Sequence, residues 1–162
     1  MIREAIGVAM ISMVALITLG IFLSNRRLRA KQEIQIPVPT KLEFGELVAA
    51  CFYVSTCFQS DPLKRVWAHG FGHRGQAQLL LCENQLGFDR KGESSFGIPL
   101  MDLTFIGTAT ATIDKGVEAN GLIAIHWNLG TTPVITNLRI VNPGVRRETL
   151  KTLTGLIGAV DA

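Results

Sequence analysis

The chain has 162 residues, 48% of them apolar and 18% charged, with a formal net charge of +3. Nearly all of the apolar excess lies before residue 24, so about 120 residues remain after a linker, room for one domain and not for a multidomain enzyme. The positive balance is also local: from residue 32 onward there are 11 basic and 12 acidic side chains, a net of −1, which excludes a general polyanion binder and with it nucleic acid as a partner.

The first element is an apolar run. From Ala5 to Leu23 nineteen residues carry no charge, and only Ser12 and Thr18 are polar. At about 1.5 Å per residue the run covers roughly 29 Å, the thickness of a hydrocarbon core, and both hydroxyls can bond back to carbonyls of the preceding turn. A transmembrane helix is expected. A cleaved signal would place its basic residues before the run, whereas here Arg26, Arg27, Arg29 and Lys31 follow it as a stop-transfer flank within residues 1–31. Positive flanks stay in the cytoplasm, so the chain is expected to cross the inner membrane once, with its N-terminus outside and residues 24–162 inside. The bilayer is thus its first partner. Small residues at Gly7, Ala9, Ala15 and Gly20 permit close helix approach without forming a GxxxG pattern.

Residues 32–43 contain Pro37 and Pro39 and present no face to bury, which predicts an extended spacer. At about 3.1 Å per residue it reaches roughly 35 Å, keeping a domain at residues 44–162 near the inner leaflet.

Beyond it the dominant period is two. Ala50 to Cys57, Gln76 to Leu81, Leu86 to Arg90, Phe96 to Ile98, Thr104 to Thr110, Ile123 to Leu129 and Val134 to Val141 read as about seven strands, with turns at Lys91 to Ser95 and Gly130 to Thr132. Cys51 and Cys57 share a strand and stand roughly 20 Å apart, beyond disulfide reach, so the three cysteines are expected as small buried hydrophobes. Asn142 and Pro143 then mark a helix start, and Leu150, Leu153, Ile157 and Val160 recur at helical spacing. Seven strands closed by one amphipathic helix form the expected domain.

With that order, the segments RVWAHGFGHRGQAQLLL (residues 65–81) and GLIAIHWNLG (residues 121–130) resemble an actinobacterial family of small single-pass membrane proteins with a pleckstrin-homology-like (PH-like) domain. Some of its members are labelled export or transport membrane proteins. The resemblance covers nearly the whole chain and implies a mainly β fold: a seven-stranded barrel or sandwich capped at one end by the C-terminal helix.

The chemistry-bearing patterns are sparse. Gly70, Gly72 and Gly75 spell GxGxxG, but an alternating strand follows instead of a helix, so no helix N-terminus is offered to a pyrophosphate and no nucleotide cofactor is implied. His69 and His73 are four apart, yet Gly70 and Gly72 argue against the helix that would align them on a metal, and no third ligand stands nearby. No nucleophile motif or paired carboxylate occurs, so no catalytic residue is assigned and an enzyme is not expected. Lys64, Arg65, His69, His73 and Arg74 share one loop; in PH domains the corresponding loop grips inositol phosphates, and the resemblance makes these five the candidate contacts for an anionic headgroup. The expected function is a cytoplasmic binding or scaffolding module for a protein partner or the membrane surface. The alternative is an accessory subunit of a membrane transporter or export complex.

Overall fold

The computed structural model describes residues 2–109 and 121–160. Helix α1 (Ile2–Gln35) has 34 residues, and from Ala9 to Leu28 every side chain is exposed, giving a rod long and apolar enough to cross a bilayer. Thr18 donates its hydroxyl to the Val14 carbonyl at 2.8 Å, as expected for a polar group in such a run.

The stretch expected as a spacer departs from that expectation. Gln32, Glu33, Ile34 and Gln35 are good to fair helix formers, and the first proline, Pro37, restricts only Ile36, so the helix runs on through Gln35. Nor does the segment lack a buried face: Gln32 and Ile36 are 6% and 5% exposed. The remainder is strapped to the barrel. Gly97 N–H donates to Thr40 O at 2.8 Å, Gln85 Nε2 donates to Lys41 O at 3.2 Å, and the Cys82 thiol donates to Glu43 O at 3.3 Å.

The sheet is antiparallel. Its strands are β1 (Glu46–Phe58), β2 (Asp61–Arg65), β3 (Gly75–Leu81), β4 (Gln85–Arg90), β5 (Phe96–Pro99), β6 (Leu103–Ala109), β7 (Leu122–Leu129) and β8 (Thr132–Arg139). They follow the order β5-β4-β3-β1-β8-β7-β6, with β2 paired to β1 outside that path. The described residues thus hold eight strands where about seven were expected; the addition is β2, too short and too exposed to show a period. Thr110, expected to end a strand, lies outside the described residues.

β1 joins the two halves of the sheet. Residues 46–53 pair with β3, residues 52–58 with β8, and the register slips between Tyr53 and Ser55. A slip of this kind adds local twist, which turns one flat sheet into two facing layers. Between them lies a core that includes Phe88, Phe96, Ile98, Ile123, Ile125, Trp127 and Leu138.

A buried file of hydroxyls ties the halves together. Trp127 Nε1 lies 2.9 Å from Thr136 Oγ1, which lies 2.9 Å from Thr56 Oγ1, which lies 2.7 Å from the Tyr53 hydroxyl, which bonds Phe71 O at 3.0 Å. Indole N–H can only donate and a carbonyl can only accept. Tyr53 therefore spends its single proton on Phe71 O, Thr56 must donate to Tyr53, and Thr136 must donate to Thr56. Every proton in the file has one direction.

Helix α2 (Pro143–Val160) begins where expected. The Asn142 side-chain carbonyl accepts from Gly144 N–H at 2.9 Å and from Val145 N–H at 3.3 Å, and Pro143 fills the first position, where no amide is needed. The helix lies on β6, on the turn at Leu100–Asp102 and on β1. Leu153 is fully buried, with Leu150, Leu156 and Ile157 partly buried beside it. The side chain of Val160 lies outside the described residues.

His126 on β7 is half-buried with the Phe105 ring against it at 5.3 Å. Burial lowers its pKa below the ordinary imidazole value of 6.5, so the folded protein binds this proton less readily than the unfolded chain does. Its contribution to stability is complete above about pH 6.5 and is lost as pH falls through the lower folded value. Thermal unfolding between pH 7 and pH 5 should therefore lose more midpoint in the wild type than in His126→Gln; equal losses would show that His126 is not a source of the acid sensitivity.

Candidate functional site

The loop between β1 and β3 carries all five residues singled out for an anion, and its fold disperses them. Val66, Ala68 and Phe71 are completely buried, so the loop is folded inward onto the core. His69 takes a left-handed conformation (φ 52°), which histidine tolerates better than most residues, and Gly70 follows at φ 77°. This reversal turns the His69 ring toward α1, where Nε2 lies 2.9 Å from Ile36 O. His73 is turned the other way, with Nδ1 3.5 Å from a Glu93 carboxylate oxygen.

Arg65 spends its guanidinium inside the loop, donating to Gly72 O at 3.1 Å. Gly72 itself packs beneath Trp67: a Cβ there would collide with the indole ring. Two glycines of the apparent GxGxxG are thus explained by a left-handed turn and a close ring contact. Lys64 lies over the Phe58 ring at 5.5 Å, and Arg74 is exposed.

The basic flank is drawn into the same assembly. Arg29 of α1 stands 5.2 Å from the Trp67 ring, with Arg65 5.8 Å from it, and Trp67 N–H donates to Gln32 Oε1 at 2.7 Å. Arg26 lies over Phe22 at 5.9 Å, and Arg27 and Lys31 are exposed. The helix and barrel are therefore docked through Gln32, Ile36, Trp67 and His69.

Sequence reasoning passed over Arg90, which is 4% exposed. Its Nη1 donates to Gly70 O at 2.9 Å and its Nε to Ser94 O at 2.9 Å. The guanidinium carbon stands 4.9 Å from the Tyr53 ring centroid, 5.2 Å from Phe96 and 5.9 Å from Phe71. Burial pulls its pKa down from the usual arginine value, while the Tyr53 and Glu93 side chains oppose that shift. At the end of β4, nothing in the alternation distinguishes this arginine from a solvated one.

A second feature lies elsewhere on the barrel. A groove of about 910 Å³ runs between β1, β3, β8 and the start of α2; Ala50, Phe52, Val141 and Val145 form part of its lining, along with Asp89, Lys91 and Arg139. Its walls come from separated segments, which is why no local motif announced it. Cys51 lines it too, but burial pushes its thiol up to about 12, so it carries no thiolate at neutral pH. The size suits a small ligand or a few side chains of a partner.

A solved structure of the PH domain from TgAPH is similar over 68% of this chain and 82% of that chain, with 11% identity and a TM-score of 0.45. No curated protein matches the chain. The family model described as bacterial PH domain-like matches residues 33–154, well over half of the sequence, and the chain belongs to that family.

Proposed function

We propose that the protein crosses the inner membrane once and holds its PH-like domain, residues 44–162, at the cytoplasmic face as a non-catalytic binding or scaffolding module. The observation that carries this reading is the unbroken passage of α1 into its dock on the barrel at Gln32 and Ile36, which makes anchor and domain one body. Arg26, Arg27, Arg29 and Lys31 set the orientation. The groove faces a protein partner. From Phe58, beside α1, to Phe52, in the groove, β1 runs roughly 20 Å at about 3.3 Å per residue, so the partner side is separated from the anchored side.

Topology is the first test. A C-terminal reporter should be active only in its cytoplasmic form, and external protease should spare the domain in spheroplasts; digestion would overturn the orientation. Neutralising the four flank residues should mix the two topologies. Val145→Asp tests the groove, because an acidic residue in the first turn of α2 suits the helix while placing a charge on the groove wall. Wild type purified in mild detergent should retain one stoichiometric protein that this variant loses. The bare surface of α1 favours a second reading, an accessory subunit held by a larger membrane protein through its span. Retention by Val145→Asp combined with loss on substituting the span would move the interface to α1.

A further inference from the structure

We infer that the cleft between α1 and the barrel is a binding site for the phosphate of an anionic lipid. The cleft has a volume of about 280 Å³ and is lined by Leu28, Lys31, Gln32, Gln35 and Ile36 of α1 and its exit, together with Phe58, Lys64 and Thr132 of the barrel. Two lysines thus line it, one from each wall, and no carboxylate is among the lining residues. Among the described residues neither lysine is ion-paired; Lys64 lies over the Phe58 ring at 5.5 Å.

The polar lining is suited to an acceptor-only ligand. Gln32 is 6% exposed and gives its Oε1 to the Trp67 N–H, and because an N–H can only donate, this contact fixes the amide with its NH₂ elsewhere. That NH₂ has no protein acceptor among the described residues. Gln35 and the Thr132 hydroxyl supply further donors. Lysines, amides and a hydroxyl around a small volume fit a phosphate, whose oxygens only accept.

Depth selects the source of that phosphate. The uncharged run of α1 ends at Leu23; at 1.5 Å per residue Leu28 lies about 7 Å and Lys31 about 12 Å beyond it. The headgroup layer occupies roughly the first 5 to 8 Å outside the hydrocarbon core, and a lysine stem reaches back several ångströms. The Leu28 end of the cleft therefore lies at the level of the headgroups, within reach of lipid phosphates. The volume, just under the usual lower bound of about 300 Å³ for small-molecule sites, suits a phosphate with a small substituent. The assignment rests on α1 being a membrane span, but not on which side the domain faces or on the groove.

The test is lipid retention by the full chain in nanodiscs of phosphatidylcholine with a minor fraction of phosphatidylglycerol, read by native mass spectrometry after release into detergent. Lys31→Gln with Lys64→Gln should lower retained phosphatidylglycerol about thirtyfold, each single change about fivefold, and the double arginine variant should retain it. Arg26→Gln with Arg27→Gln, which removes equal charge outside the cleft, should have a much smaller effect, because after release into detergent the bilayer's surface attraction is gone and only contacts to the bound lipid remain. Equal losses in the two double glutamine variants, or no loss in the cleft variant, would overturn the site. Free phosphate that displaces the lipid at millimolar concentration and binds as tightly alone would assign the cleft to a soluble anion instead. If the topology reporter fails while retention depends on the cleft, the proposed orientation falls and this site stands.

Discussion

Arg90→Ala is expected to lower the stability of the protein by about 3 kcal/mol, the loss of charge-assisted hydrogen bonds at roughly 1.5 to 3 kcal/mol together with ring contacts at about 0.5 to 2, taken as non-additive. For a chain of this size that is a fall of about 10 °C in Tm. The damage spreads because Arg90 holds three segments at once: the loop through Gly70 O, the β4–β5 turn through Ser94 O, and the core through Tyr53, Phe71 and Phe96. Arg90→Lys keeps the charge but cannot fork to two carbonyls while lying over three rings, so it should recover only about half of the loss. Thermal unfolding followed by near-ultraviolet circular dichroism measures both. A change below about 0.5 kcal/mol in the alanine variant would mean that solvent reaches Gly70 O and Ser94 O and takes over the role of Arg90.

Ending the chain at Asn142 should have a larger effect. Leu153 is fully buried and Leu150, Leu156 and Ile157 are partly so, and at about 1.5 to 3 kcal/mol for a fully buried side chain the helix contributes about 5 kcal/mol or more. That approaches the whole stability of an ordinary domain, roughly 5 to 15 kcal/mol. The shortened protein should aggregate on extraction, with β6 and the Leu100–Asp102 turn uncovered. Leu153→Ala in the full chain gives a graded version, a loss of about 2 to 5 kcal/mol without removal of the cover. A truncated chain that unfolds at the wild-type temperature would show that α2 is no cap.

The features legible in sequence are those whose signal is local. An uncharged run, an asparagine before a proline, and the alternation through β7 and β8 each declare themselves within a few residues, and the structure has α1, the Asn142 cap and that hairpin in place. The site residues needed distant information. Arg65, His69 and His73 look alike as loop cations, but their partners are Gly72 O, Ile36 O and Glu93, and only the reversal at His69 and Gly70 decides which is met. Arg90 reads as solvated because its aromatic surroundings come from β1, the loop and β5. The end of α1 is legible only in part: helix-forming residues fill positions 32 to 35, while Pro37 and Pro39 pull the composition of the same stretch toward an extended chain.

The strap at Thr40 has a consequence for what happens when the molecule is cut. β5 is an edge strand, and its unpaired side is met by the bridge from Thr40 to Gly97, with Lys41 and Glu43 held at the β3–β4 turn by Gln85 and Cys82. That cover belongs to the anchored side of the chain. A fragment beginning at Phe44 lacks it and exposes a strand edge flanked by Phe96 and Ile98, the kind of surface that recruits another strand. A cut within this strap would therefore free a domain that is prone to pair with a second copy of itself through β5.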